Sequence, residues 1–413
     1  MRILFITQWF DPEPTFKGLA FARELTRLGH EVQVLTGFPN YPGGKIYPGY
    51  RIRLLQRERI DGIDVIRVPL YPSHSRSRLG RIANYFSFAL AACLIGPLAV
   101  RRPDVIHVYH PPATVGLPAV MLRTLFGTRL VYDIHDMWPD TVAATGMMSS
   151  GWVIRLLSTL CRFIYSRADH ITVVSPGFKQ ALIDRGVSPE KVSLIYNWCD
   201  EAQIGVGIGA SVTPRLNEWS DKFLVVFAGT MGAAQALDSV LTAAQSIAGR
   251  NPRVHFIFVG GGTDAERLAR KAAELQLANV TFVARVPFSE IGPILRRADA
   301  LLVHLKDDPL FRITIPSKTQ AYMAVGRPIL MAVSGDAESL VKEANCGIAC
   351  EPENPVRLAE AVEHLAAMSK GDRHELGENG RRFYQASSSL KAGTQRFESL
   401  FRALHTAADH PSA

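Results

Sequence analysis

The segment YDIHDMWPD, from Tyr132 to Asp140, places a histidine and three aspartates at the end of an apolar run. Ionisable groups clustered at the carboxyl end of a sheet strand point to chemistry, with His135 and Asp136 as the candidate catalytic pair. Asp133 lies close by, and Asp140, after Trp138-Pro139, is equally suited to capping the next helix. Two further segments fall on the same edge, TFKG (15–18) and HVYHPP (107–112), and Lys17 and Gly18 occupy a turn that a phosphate or sugar can reach. No GxSxG elbow is present, so a Ser-His-Asp hydrolase is not indicated.

A second group of residues suits anion binding. FAGTMG (227–232) is a strand running into a glycine turn and then a helix, where Gly229, Thr230 and Gly232 let backbone amides approach a phosphate. VGGG (259–262) repeats the arrangement with Gly261, but neither run matches the GxGxxG dinucleotide fingerprint. In FRITIPSKTQAYMAVGRP (311–328), Pro316 suits a helix entry and Ser317 a cap, while Lys318 and Arg312 add charge. Helix dipole and cations acting on one anion would make a diphosphate cradle. Arg285, after the run VTFVA, completes the donor-binding set.

These residues need a scaffold of alternating elements. RILFIT, a proline-bearing loop, the amphipathic stretch GLAFARELTRLG and EVQVLTG form a βαβ unit, which implies a parallel sheet. DVIRVPL, PDVIHVYH, a helix around VGLPAVMLRTLF, RLVYDI and HITVVS continue the pattern. The stretch 196–222 is rich in glycine and small polar residues and reads as a linker. A second series follows, with strands KFLVVFAG, HFIFVGGG, VTFVA, ADALLVHL and RPILMAV alternating with helices over 237–248, 264–275, 289–296 and 317–325. The expected class is α/β, with two Rossmann-like, doubly wound parallel-sheet domains over 1–198 and 199–387 facing a cleft. A terminal helix around 388–408 is expected to pack back on the first domain.

Composition narrows the function classes. The chain has 413 residues, is 47% hydrophobic and 20% charged, and carries a net charge of +8. Such a balance fits two packed domains with an anionic partner. No nucleic-acid module is visible, so that partner class is set aside. The five scattered cysteines form no CxxC pair and no zinc-ligand spacing, which suits a reducing cytoplasm and no metal site. MRILFIT begins directly as a strand, with no basic segment and cleavable apolar run, so a signal peptide is not expected.

Residues 83–100 carry no charge, and Arg76, Arg78 and Arg81 precede them while Arg101 and Arg102 follow. Asn84 and Gly96-Pro97 interrupt the run and argue against a membrane span. Two readings stay open: a helix buried against the sheet, or a helix lying on a membrane with its arginines at anionic headgroups.

Taken together, the motif order resembles the retaining family 4 glycosyltransferases of GT-B fold. LGHEV, the histidine strand end, FAG, VGGG and IPSK…YMAVGRP carry that likeness over nearly the whole chain. FPNYPGGKIYPGYR, DMWPD and TIPSKTQAYMA look most like the bacterial branch that adds N-acetylated amino or deoxyhexoses in capsule and O-antigen assembly, L-fucosamine transferases among them. The resemblance implies retaining transfer from a UDP-sugar, without a required metal or other cofactor, to a polyprenyl-diphosphate-linked sugar. The scattered cysteines and the arginine-flanked segment 76–102 fit a cytoplasmic enzyme that touches the inner face of the membrane. His135 would then hydrogen-bond the donor sugar, Asp136 would orient hydroxyls, and the second domain would hold the nucleotide. Two departures stand out. The family's paired glutamates read Ile313 and Ala321, and its basic pair after the FAG turn reads Thr230 and Gln235. A UDP-sugar 2-epimerase and a non-catalytic GT-B partner subunit are the competing readings.

Overall fold

A computed structural model describes residues 1–73, 78–141, 150–201, 204 and 219–409. They divide into two compact units, one built from Met1–Tyr196 and the stretch from Gly393 onward, the other from Asn197–Ala392. Most of the expected linker, with Arg76, falls outside the described residues.

The first unit runs β1 (Arg2–Ile6), α1 (Leu19–Arg27), β2 (Glu31–Gly37), β3 (Gln56–Ile60), β4 (Ile63–Val68), α2 (Arg78–Ala99), β5 (Val105–His110), α3 (Gly116–Phe126), β6 (Arg129–Ile134), α4 (Gly151–Arg167), β7 (His170–Val173), α5 (Pro176–Asp184) and β8 (Val192–Leu194). Its sheet order is β3-β4-β2-β1-β5-β6-β7-β8. The central strands are buried along almost their whole length, because helices cover both faces, and their sequences read as continuous apolar runs. The sheet departs from the expected all-parallel form at its edge, where β3 pairs antiparallel with β4. Asp61-Gly62 makes that hairpin possible, since both residues sit at positive φ, as a tight two-residue turn requires.

Between β1 and β5 the winding reverses, since β2 lies on one side of β1 and β5 on the other. Such a reversal opens the loops at the carboxyl ends to a ligand. The loop after β1 and the end of β5 lie there, with the end of β6 next along the edge.

Helix α2 settles neither of the two readings offered for its sequence alone. Phe88, Ala89 and Ala92 are buried, and Gly96 lies close to Leu35 and Leu122. On the opposite face Leu79, Phe86, Leu90, Leu94 and Leu98 recur at helical spacing and are exposed, Leu98 by 89%. The helix is long and apolar enough to cross a membrane by length and composition, and 39% of its most apolar window is buried.

The second unit runs β9 (Phe223–Thr230), α6 (Asp238–Ala248), β10 (Val254–Gly261), α7 (Ala265–Glu274), β11 (Val280–Val283), α8 (Phe288–Arg297), β12 (Ala300–His304), α9 (Pro309–Arg312), α10 (Lys318–Val325), β13 (Ile329–Ala332), α11 (Asp336–Glu343), β14 (Gly347–Ala349), α12 (Pro355–Ala367) and α13 (Lys370–Phe383). Its sheet, ordered β11-β10-β9-β12-β13-β14, is parallel throughout, and its reversal falls between β9 and β12. The last helix, α14 (Leu390–Asp409), belongs from Gly393 onward to the first unit.

Candidate functional site

In the first unit, β6 delivers Asp133 and then His135 at its carboxyl end. Asp133 is wholly buried near the end of the strand, among apolar neighbours in sequence, and must therefore be paired. Lys17 Nζ lies 2.5 Å from its Oδ2, and Thr172 Oγ1 on β7 donates to its Oδ1 at 2.6 Å. The ammonium of Lys17 also sits 2.9 Å from His135 Nε2. Burial opposes ionising Asp133, yet Lys17 and His135 beside it hold its carboxyl well below the usual range. Burial, reinforced by the Lys17 charge, lowers the His135 pKa to about 4, so the imidazole is neutral at pH 7.

The sequence puts Lys17 and Gly18 at a turn that a phosphate or sugar can reach, and in the structure the Lys17 side chain faces inward. The side chain is 0% exposed and engaged with Asp133 and His135. The adjacent helix terminus is occupied as well, because the Asp11 carboxylate accepts from Leu19 N at 2.7 Å. Gly18 is needed for that cap, since a Cβ there would lie 2.3 Å from Asp11 Oδ2. The Lys17-Gly18 turn is therefore an internal support.

Asp136 is half-buried beyond the strand end, and burial raises its pKa to about 6. Nearby, Glu13 accepts from the amides of Asn40 and Tyr41 at 2.7 Å and ties the loop after β2 to the loop after β1. This tie brings Trp9 and Tyr41 together with ring centroids 4.7 Å apart and planes tilted by 30°. Half-buried rings of this kind offer flat apolar surface beside polar groups, which suits a sugar. Asp140, read as a helix cap, directs its carboxylate to Arg185.

The second unit offers a different edge. β9 and β10 stay in register as far as Gly229 opposite Gly260 and Thr230 opposite Gly261. Gly260 has φ +140°, and a Cβ there would lie 2.0 Å from the Gly229 carbonyl oxygen, so only glycine permits the two turns to touch. Gly261 has open space around it. Gln235 reaches back so that Gly232 N donates to its Oε1 at 3.0 Å. The glutamine thus occupies one amide where the resembling family carries a cation.

Lys318 starts α10 and turns its ammonium under the Gly229 turn. Its Nζ lies 3.6 Å from the centroid of the Phe227 ring and, among the described residues, has no hydrogen-bond partner. Burial lowers its pKa to about 7. A Cβ on Gly229 would come within 3.2 Å of Nζ, so the glycine keeps that approach open. Tyr322, one turn along α10, fixes the geometry, because its hydroxyl accepts from Ala228 N at 3.0 Å. A buried cation held against a ring and lacking an anion is unfinished electrostatically.

The other sequence-nominated residues make no hydrogen bond with the Lys318 ammonium, and their own surroundings differ. Arg312 is exposed and makes a bidentate pair with Asp307 at 2.8 and 2.9 Å. Ser317 stands at the N-cap position of α10, yet its backbone is already helical and its side chain makes no cap hydrogen bond, contrary to expectation. Pro316 precedes it as a half-buried residue outside the helix, and Arg285 is exposed beyond β11. The supporting roles of Asp11, Thr172 and Tyr322 had no motif to reveal them. A lone aspartate within LVYDI was the available signal for a buried cation.

Two family models match the chain: a glycosyl transferase 4-like domain over residues 19–198, and glycosyl transferases group 1 over 213–383. The probable glycosyltransferase WbjE of Pseudomonas aeruginosa is 28% identical over 341 residues, 81% of this chain and 83% of that protein. The putative colanic acid biosynthesis glycosyl transferase WcaI of Escherichia coli (strain K12) is 26% identical over 388 residues, 91% and 92% of the two chains. Among solved structures, Anabaena HepE in complex with UDP-glucose superposes with a TM-score of 0.69 at 16% identity, covering 98% of this chain and 100% of its own. Two glycosyltransferase domains on two doubly wound sheets make this chain a glycosyltransferase of GT-B type.

Proposed function

We propose that the protein transfers a sugar, an N-acetylated amino or deoxyhexose, from a UDP-linked donor to a lipid-linked acceptor in bacterial surface-polysaccharide synthesis, with retention of configuration. One observation carries the reading: among the described residues the buried Lys318 ammonium beneath the Gly229 turn lacks a hydrogen-bond partner, and a diphosphate would supply one. The UDP-glucose complex of HepE and the colanic acid biosynthesis for which WcaI is named support the donor and pathway classes.

In this reading the bond from the anomeric carbon to the diphosphate breaks, and one to the acceptor oxygen forms on the same face. The acceptor proton passes to the departing diphosphate, so no strong protein base is needed. Lys318 and the turn amides stabilise the charge that develops on UDP. Arg312 can exchange its exposed partner Asp307 for a phosphate, since such surface pairs contribute only about 0–1 kcal/mol. His135 hydrogen-bonds the sugar and Asp136 orients a hydroxyl. No step calls on a metal.

The exposed stripe of α2 supports a lipid-linked acceptor. Helices α2, α3 and α4 contain no acidic residue, and Arg155 and Arg162 stand exposed on α4 near Trp152 and Leu156, which are 67% and 58% exposed. Apolar side chains with interspersed arginines suit an anionic bilayer face. Leu90→Glu with Leu94→Glu is expected to abolish co-sedimentation with phosphatidylglycerol vesicles, and undiminished sedimentation would remove the membrane from the proposal.

The transfer itself is tested by calorimetry with UDP, followed by assay of UDP release from candidate UDP-sugars. Release only in the presence of a polyprenyl-diphosphate-linked sugar is the expected result. Sugar isomerisation without acceptor would favour an epimerase instead, and no UDP binding would leave a non-catalytic subunit.

A further inference from the structure

The region beneath His135 constrains where its proton sits. Lys17 comes from the loop between β1 and α1, Asp133 from β6 and Thr172 from β7, and all three are 0% exposed. With Lys17 Nζ on one oxygen of Asp133 and Thr172 Oγ1 on the other, the carboxylate is satisfied. An ammonium carries three donors and no acceptor. His135 Nε2, 2.9 Å from that ammonium, can therefore face it only with its lone pair. A proton on Nε2 would find Asp133 Oδ2 at 2.8 Å but would set two donors against each other.

The remaining wall comes from the end of the chain. Phe397 on α14 places its ring centroid 4.5 Å from Lys17 Nζ, and the same ring packs on Phe21 at 5.3 Å and on His107 at 5.0 Å. Phe401 extends the wall against His107 at 5.6 Å. An aromatic face over a desolvated ammonium attracts it and excludes water that would otherwise compete for its protons.

We infer that Lys17, clamped by Asp133 and roofed by Phe397, is a positioning residue that holds His135 in the tautomer with its proton on Nδ1. The C-terminal helix thereby determines which imidazole nitrogen is a donor. A donating Nδ1 suits a hydroxyl or carbonyl oxygen of a sugar, and this functional consequence rests on the role proposed for His135 above. Among the described residues, the groups facing the ring include Lys17 and Asp133, with His107, Tyr109 and His110 on β5. Lys17 is the one among them whose removal converts the surroundings of Nε2 from a donor to a bare carboxylate.

The test uses the full-length protein with 15N-labelled histidine, read by long-range 1H–15N correlation, with His135 assigned through His135→Gln. The wild type is expected to show a neutral ring protonated on Nδ1. Lys17→Met should move the proton to Nε2, facing the abandoned Asp133, and raise the pH at which the ring titrates. Phe397→Leu keeps both charges and should give a mixture of tautomers, which keeps the question answerable if Lys17→Met does not fold. Turnover should fall roughly tenfold in Lys17→Met, the loss of about one transition-state hydrogen bond, with the donor KM within about twofold. A wild-type proton on Nε2, or an unchanged tautomer in both variants, overturns the inference. A switched tautomer with unaltered turnover upholds it and removes His135 from the reaction instead.

Discussion

The two strand-end edges of this protein treat charge in opposite ways. In the first unit the charges beside the loop after β1 answer one another: Lys17 meets Asp133, and Asp11 caps α1. In the second unit the buried Lys318 is left facing a ring, under a turn made of glycine. An edge that is neutralised from within presents hydrogen-bond donors and acceptors without net charge, which suits hydroxyl groups. An edge with an unanswered cation suits an anion. On the proposed function, the two edges would sort sugar from diphosphate by how each balances its own charges.

Breaking each edge should show the difference in sign. Asp133→Ala strands a buried ammonium, and loss of one partner of a buried pair costs about 3–5 kcal/mol. Denaturant unfolding should report that loss, with UDP affinity nearly unchanged because the substitution lies in the other unit. Lys318→Met is expected to act the other way. It removes a buried cation with no hydrogen-bond partner among the described residues, so the free protein should be no less stable, while UDP affinity falls about 10- to 100-fold, the equivalent of one charge-assisted hydrogen bond. A Lys318→Met protein that binds UDP normally would end the comparison.

The pH response sharpens the same contrast. Lys318 titrates near 7 in the free protein and at its ordinary, higher value when unfolded, so between those limits the unfolded chain holds more protons and free-protein stability rises with pH. Binding an anion restores the proton. UDP affinity should therefore fall above pH 7, by up to about tenfold per unit, and calorimetry in buffers of different ionisation enthalpy should show proton uptake. Affinity flat from pH 7 to 9 would show that Lys318 does not meet the diphosphate. The smallest effect is expected from Asp11→Ala. Loss of that cap should cost about 1 kcal/mol of stability and leave UDP binding unaltered.

Much of this organisation was legible in the chain, for reasons that differ by element. The buried strands announced themselves because both faces are covered, so runs such as LFI and LVVF need no alternation. β3 escaped because QRERI is a half-exposed edge strand whose period-two pattern is charged, although the Asp61-Gly62 turn beside it was a usable hairpin signal. The site was legible in outline, as strand-end histidine, glycine turns and the Ser317-Lys318 helix start. The internal partnerships were not. Lys17 and Asp133 are 116 residues apart, and nothing local distinguishes a lysine bound for the interior from one bound for a phosphate. Ser317 shows the same limit at short range, since a residue type suited to capping is placed at the cap position and makes no bond there.

The lodging of Phe397 and Phe401 against Phe21, His107 and Lys17 has a consequence for synthesis. The first unit takes its opening strand from the start of the chain and its last wall from near the end. A nascent chain can complete the second unit as one continuous stretch, but the first stays open along that wall until the residues from Gly393 onward have been made. Substitutions that disturb Phe397 and Phe401 should therefore loosen the first unit around Phe21 and His107, although the whole second unit separates them in sequence.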